Sequence, residues 1–141
     1  MDILKIIGII LLSASPIGEF LIAYPTALAL GLDPLVSLFI CILSNLTPIP
    51  ILIIFSEKIK EKFPKFFNWL ARRSRSYENY IKKLGKIAFI ILTPIIGVYA
   101  TTLTLILLGF NKIETFLIQS LSLVIYGVLM YFGLITTLYN I

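Results

Sequence analysis

The chain has 141 residues, of which 59% are hydrophobic and 13% are charged, and its mean hydropathy is +1.02. Soluble domains are about 45–50% apolar and about 25% charged, so this composition excludes a soluble globular domain and predicts an integral membrane protein. With no histidine and a single cysteine, Cys41, the sequence also excludes a disulfide framework, a Cys/His zinc site and a Ser-His-Asp triad. The net charge of +5 does not indicate nucleic-acid binding, because ten of the twelve basic residues lie between Lys58 and Lys86.

Four apolar stretches follow one another at residues 3–32, 34–55, 87–110 and 113–138. A spanning helix needs about 20 apolar residues, so the second and fourth stretches each fit one span. The first and third are interrupted by proline and glycine, and neither is long enough for two full spans. Each of these two therefore predicts either a re-entrant hairpin with its tip in mid-membrane or one long kinked span.

The interruption of the first stretch contains Glu19, the carboxylate that lies deepest in an apolar segment. Such a carboxylate is typical of an ion, proton or substrate pathway. The structural alternative is that it caps the half-helix Phe20–Leu30. Freed backbone N–H groups at a break can also bind an anion, and a simple kink is the alternative. The candidate substrate- or proton-binding residues here are Glu19, Pro16, Gly18 and Pro25.

Further polar or backbone-breaking residues lie in the second and third stretches. Asn45 marks a polar, bent point in the second, and Pro94 and Gly97 break the third. Thr101 and Thr102 add a hydroxyl-lined face after that break. All five are candidate substrate- or proton-binding residues, although hydroxyls and amides in membrane helices more often join helix to helix.

The basic segment, residues 56–86, separates the two halves of the chain, and the positive-inside rule predicts that it is cytoplasmic. Apolar residues recur in it at helical spacing: Phe66, Phe67, Leu70, Tyr77, Tyr80, Ile81 and Leu84. This spacing predicts an interfacial amphipathic helix, with Arg72, Arg73 and Arg75 as lipid-surface contacts. A solvated topology anchor is the simpler interpretation, and binding of anionic lipid headgroups is the alternative.

An internal repeat appears when the chain is shifted by 78 residues, which places Thr93-Pro94-Ile95 on Ser15-Pro16-Ile17. In both halves a glycine typical of a helix C-terminus, Gly31 or Gly109, is followed by a residue that caps the next helix, Asp33 or Asn111. Asn111 with Glu114 three residues later predicts a capping box. We therefore predict a single membrane domain, residues 1–141, with repeat one at 3–55, the basic linker at 56–86 and repeat two at 87–138.

The topology depends on how the two broken stretches fold. If they are hairpins, each half crosses once and the repeats are inverted, as in many secondary transporters. If they are kinked spans, the repeats are parallel. The charge rule does not decide, since the hairpin arrangement puts Lys112 inside and Lys5 outside, and the four-span arrangement does the reverse. We predict the hairpin arrangement: an all-α membrane protein with two inverted repeats, each a re-entrant helical hairpin followed by a transmembrane helix.

Part of this pattern resembles a known family, the small multidrug export proteins, which are related to the DedA (SNARE-associated Golgi protein) superfamily. The residues that carry the resemblance are Glu19, Pro25, Gly31, Pro34, Ser44-Asn45, Pro48, and Thr93-Pro94-Ile95-Ile96-Gly97 with Ala100 and Thr102. The resemblance implies two opposed re-entrant segments and a function in membrane transport. DedA relatives transport lipids such as polyprenyl-phosphate carriers, and some of them are coupled to protons. Where the family has Arg-Gly after the acidic residue, this chain has Leu21-Ile22, which removes the natural partner of a lipid phosphate.

Three functional hypotheses follow. The leading one is a DedA-like transporter or flippase that moves a lipid or lipid-phosphate carrier, with Glu19 as the proton or substrate site. The alternatives are a proton-coupled exporter of small cationic compounds and a non-transporting membrane scaffold. We expect no enzyme activity, cofactor or metal. The expected partners are membrane lipids, the transported substrate, protons and a second copy in a homodimer. The expected location is a multi-pass position in a prokaryotic plasma membrane.

Overall fold

The computed structural model describes residues 2–65, 67–69, 72 and 84–139, and this part of the chain contains helices and no strands. The all-α prediction is therefore confirmed. The helices are α1 (Ile3–Ala14), α2 (Glu19–Ala29), α3 (Pro34–Leu46), α4 (Pro48–Lys62), α5 (Lys86–Ile96), α6 (Val98–Leu107) and α7 (Lys112–Tyr139).

Two helical segments are long and apolar enough to cross a membrane, Pro34–Lys58 and Lys112–Thr137. They coincide with the second and fourth apolar stretches of the sequence. The helices of the two broken stretches are much shorter, with 12 and 11 residues in α1 and α2 and 11 and 10 residues in α5 and α6. At 1.5 Å per residue each is about 15–18 Å long, roughly half of a 30 Å hydrocarbon core.

The chain divides into two compact units. Unit 1 comprises Met1–Thr47 with Leu123–Ile141, and in it α1, α2 and α3 pack against one another. The side-chain amine of Lys5, near the start of α1, donates a hydrogen bond to the carbonyl of Leu30, just past the end of α2, at 3.2 Å. The two helices therefore form a hairpin whose chain returns to the end at which it started.

Unit 2 comprises Pro48–Ser122, and in it α6 packs against both α4 and α5. Phe89 near the start of α5 packs with Leu105 near the end of α6, and its ring meets that of Phe110 edge-on at 5.9 Å. Lys86 at the start of α5 forms an ion pair with Glu114 at the start of α7. The α5–α6 pair is thus a second hairpin that returns to its starting end.

The local geometry of the first hairpin's exit repeats in the second at the predicted spacing of 78 residues. Gly31 and Gly109 both have positive φ, 76° and 83°. In each case the N–H of the following residue donates to the carbonyl five residues back, at 3.1 Å, which is the hydrogen bond of a Schellman motif. The predicted caps are also confirmed, because Asp33 accepts from the third N–H of α3 at 2.9 Å and Asn111 from the equivalent N–H of α7 at 2.8 Å.

The predicted capping box is present and has one additional partner. Asn111 accepts from the backbone N–H of Glu114 at 2.8 Å, and the carboxylate of Glu114 returns to the backbone of Asn111. The second hairpin also brings Lys86, from 28 residues away, into an ion pair with the same carboxylate. A charge-assisted hydrogen bond to an ammonium group is stronger than one to a neutral amide, so Lys86 strengthens this helix start.

The prediction for the basic segment needs a correction at Phe67. We expected its ring on the lipid-facing side of an amphipathic helix, yet Phe67 is only 4% exposed and packs with Leu52 of α4 and Leu103 of α6. The ring buries more apolar surface against the protein than it would at the interface. Of the remaining predicted residues, Leu84 and Arg72 are exposed, and Phe66, Leu70, Arg73, Arg75, Tyr77, Tyr80 and Ile81 lie outside the described residues.

Many large apolar side chains are exposed, and several polar side chains are buried. Ile3, Ile17 and Ile113 are 71–85% exposed, whereas Thr102 and Gln119 are fully buried. Extensive exposed apolar surface is unfavourable in water and favourable against lipid. The distribution therefore agrees with the membrane location inferred from composition.

Candidate functional site

The turn between α1 and α2 is a tight backbone crossing. The hydroxyl of Ser15 donates to the Leu12 carbonyl at 2.8 Å and accepts from the Gly18 N–H at 3.0 Å. A Cβ atom added at Gly18 would lie 2.3 Å from the same Leu12 carbonyl, so only glycine fits there. Pro16 is exposed at the outside of the turn. The next residue after this crossing, Glu19, is half-buried and has a positive φ of 43°.

Asn45, on α3, joins the two sides of this turn. In the amide orientation that matches donors with acceptors, its Nδ2 donates to the Ser13 carbonyl at 3.3 Å and its Oδ1 accepts from the Phe20 N–H at 2.9 Å. The Ser13 hydroxyl in turn donates to the Cys41 carbonyl at 2.8 Å. Asn45 is 1% exposed, so these are buried contacts. The structure thus places the predicted residues Gly18, Glu19 and Asn45 at one site.

The described part of unit 1 contains few basic side chains. Among the residues that the structure describes there, Lys5 is the sole basic side chain, and it is bound at the open end of the hairpin. Of the carboxylates, Asp2 and Asp33 serve as helix caps. Glu19 is therefore a half-buried carboxylate at the closed end of an apolar hairpin, at the end opposite Lys5.

Pro25 lies inside α2 and is half-buried, one helical turn and a half beyond Glu19. Proline removes a backbone donor from a helix interior. The Pro25 side chain makes no hydrogen bond, and it affects Glu19 only through the shape of helix α2, which carries both residues.

The second break, at Gly97, uses a different backbone arrangement. Gly97 has φ 99° and ψ 149°, a region essentially reserved for glycine, and it stands alone between α5 and α6. Pro94 lies in the last turn of α5 and has no N–H to offer the Ile90 carbonyl. The hydroxyl of Ser122 donates to that carbonyl at 2.7 Å and so replaces the missing bond.

A buried polar cluster adjoins this second break. The Thr101 hydroxyl donates to the Gly97 carbonyl at 2.7 Å and accepts from Nε2 of Gln119 at 2.9 Å. The Oε1 atom of Gln119 and the hydroxyls of Thr102 and Thr115 have no hydrogen-bond partner among the described residues. A buried acceptor without a partner is costly, and it marks a place where water or a polar ligand is stabilised.

Gln119 was missed by sequence reasoning. The available signal was its position as the one amide side chain inside the fourth apolar stretch. Thr101 and Thr102 were predicted, and the structure brings Thr101 to Gln119. The three arginines predicted as lipid contacts do not join either polar site: Arg72 is exposed, and Arg73 and Arg75 lie outside the described residues.

Comparison with known proteins assigns the family. The family described as "Putative small multi-drug export protein" matches residues 19–129. The chain belongs to this family. No curated protein and no solved structure matches the chain. The predicted family is confirmed; the wider relationship to the DedA superfamily stays a prediction.

The extent of the match bears on the site. The family segment begins at Glu19 and continues beyond Gln119, so it contains both hairpin breaks and the buried polar cluster. The family description together with the two long apolar helices indicates a membrane protein. The segment excludes α1, although α1 supplies the Ser13 carbonyl that Asn45 binds.

Proposed function

We propose that this protein exports small cationic compounds in exchange for protons and that Glu19 is the residue that binds either one. The observation that carries the proposal is the position of Glu19, a half-buried carboxylate beside the glycine-dependent turn at the closed end of the α1–α2 hairpin. The family description, multi-drug export, supports the same class of cargo.

The hairpin geometry supports a site in mid-membrane. Helices of 12 and 11 residues reach about half-way across a hydrocarbon core of about 30 Å, so a hairpin entering from one face ends near the centre. Irregular backbone at that depth is tolerated where protein or a water-filled cavity surrounds it. We propose that both hairpins are re-entrant and that their repeats are inverted, as predicted from the sequence.

The proposed exchange follows from the cost of placing a charged carboxylate in an apolar surrounding. A carboxylate there is stabilised by a proton or by a bound cation, and either occupant excludes the other. A proton arriving from the outside therefore displaces the cation, and loss of that proton on the inside prepares the site for the next one. The polar cluster at Gln119 offers hydrogen-bond acceptors for a cargo or for water within unit 2.

The test is proton-driven transport of ethidium in proteoliposomes that carry an imposed pH gradient. Glu19→Gln should reduce uptake to the level of empty vesicles, because the amide cannot exchange a proton. Glu19→Asp should retain transport, with a changed dependence on pH. The matched control is Asp33→Asn, which also removes a carboxylate from unit 1 but keeps the helix cap. Unchanged ethidium transport in Glu19→Gln would refute the proposal.

A second candidate is the DedA-like flippase, which is supported by the two hairpins because that resemblance implies two re-entrant segments. It is weakened by the sequence, where Leu21-Ile22 stand in place of the Arg-Gly that would offer a partner to a lipid phosphate. A fluorescent polyprenyl phosphate in the same proteoliposomes distinguishes the two functions. Translocation of this lipid that depends on Glu19, without ethidium transport, would favour the flippase.

A further inference from the structure

A cavity of about 490 Å³ lies in unit 2. It is lined by residues from the C-terminal half of α4 and from the connection between α6 and α7. One wall is apolar and is formed by Ile53, Leu107 and Phe110. Phe67 of the basic segment closes the cavity on another side, held there by its contacts with Leu52. The volume falls within the usual range of small-molecule sites, about 300–1,000 Å³.

The cavity also has a charged rim. It contains Lys60, Lys112 and Glu57. Within the described residues none of these three side chains forms an ion pair, whereas Lys86 is paired with Glu114. These three side chains together give the rim a net charge of about +1.

The two lysines lie at the ends of the two candidate spans. The apolar segment Pro34–Lys58 ends just before Lys60, and the segment Lys112–Thr137 begins at Lys112. Lysines at span ends extend toward the interface, where lipid phosphates are located. An apolar wall below two lysines matches a molecule with a phosphate above and a hydrocarbon chain below.

We propose that this cavity binds one anionic phospholipid of the phosphatidylglycerol type, taken from the adjacent leaflet. Its phosphate lies between Lys60 and Lys112, its glycerol hydroxyls donate to Glu57, and one acyl chain follows the apolar wall. The single negative charge of this lipid balances the net charge of the rim. The inference is independent of transport at Glu19, since every residue of the cavity belongs to unit 2.

Binding is measured on the purified full chain in detergent by native mass spectrometry, with phosphatidylglycerol and phosphatidylcholine titrated separately. We expect one tightly bound phosphatidylglycerol. Lys60→Ala with Lys112→Ala should weaken its binding by about tenfold to thirtyfold, because each lysine near the membrane surface contributes about a factor of five. Lys60→Arg with Lys112→Arg should retain binding, and an unchanged helical circular dichroism spectrum of the alanine variant shows that its loss of binding is not misfolding.

The matched control is Lys58→Ala, on the same helix. Lys58 lies over the ring of Phe55, 5.5 Å from its centroid, and does not line the cavity. The Lys58→Ala variant should bind phosphatidylglycerol with an affinity within about twofold of that of the unmodified protein. An equal loss in Lys58→Ala and in the double variant would mean diffuse surface attraction and would overturn the proposal. Equal binding of phosphatidylglycerol and phosphatidylcholine would also overturn the proposal. Full displacement of phosphatidylglycerol by millimolar inorganic phosphate would overturn it too, because the cavity would then be a simple anion site.

Discussion

Replacing Asn45 with leucine should strongly destabilise unit 1. Its amide satisfies the Ser13 carbonyl on one side of the first turn and the Phe20 N–H on the other, at 3.3 and 2.9 Å. Leucine has nearly the same size and fills the same volume, so the main loss is of hydrogen bonds and not of packing. The two backbone groups would then remain buried at the end of α1 and the beginning of α2.

The magnitude follows from two reference values. Hydrogen bonds between membrane helices contribute about 0.6 kcal/mol each on average, which sets a lower limit of about 1 kcal/mol for two bonds. A buried backbone group left without a partner costs about 1–3 kcal/mol, which gives about 2–6 kcal/mol for both. Asn45 is 1% exposed and its partners are backbone groups at helix ends, so the second value applies. We therefore expect Asn45→Leu to lower the free energy of unfolding by about 3 kcal/mol.

The assay is equilibrium unfolding in mixed lipid–detergent micelles, followed by helical circular dichroism. Asn68→Leu is the matched control, because Asn68 is exposed and the same substitution there should change the free energy of unfolding by less than about 0.5 kcal/mol. A loss below about 1 kcal/mol for Asn45→Leu would refute the reasoning. It would mean that water or a local rearrangement satisfies the Ser13 and Phe20 groups.

Further predictions concern the second break and use the same unfolding assay. Gly97→Ala should cost about 1–3 kcal/mol, because its φ of 99° is strained for any residue with a Cβ. The control Gly8→Ala, where a new Cβ meets no atom within 4 Å, should be neutral or stabilising by up to about 1 kcal/mol, and equal losses at both positions would contradict the strain argument. Ser122→Ala should cost about 1 kcal/mol by leaving the Ile90 carbonyl without its donor. That cost should shrink in a Pro94→Ala background, where a backbone N–H becomes available, and an unchanged cost would exclude the proposed compensation.

The sequence predicted those features that depend on neighbouring residues. Gly31, Gly109, Asp33 and Asn111 act through backbone conformation and hydrogen bonds within four or five residues, and all four lie where their residue types indicated. The two long spans were predictable for a similar reason, because length and apolar content are local properties. The same is true of the breaks themselves, which proline and glycine impose.

Contacts between distant segments were not predictable in this way. The amide of Gln119 meets Thr101 across 18 residues, and Glu114 gains an ion pair with Lys86, 28 residues away, in addition to its helix cap. Phe67 fitted both a lipid-facing and a buried position, because helical spacing identifies an apolar face but does not identify what covers it. Asn45 was a candidate on its residue type alone, and its partners at the turn required the packing of α3 against α1 and α2.

The backbone at Glu19 has an evolutionary consequence. Its φ of 43° costs a residue with a side chain about 1–2 kcal/mol, and the position 78 residues later, where φ is 99°, is Gly97. A glycine at position 19 would relieve this strain. On the proposed role of Glu19, its carboxylate represents a trade of stability for activity, and a mutational library selected only for folded protein should lose it.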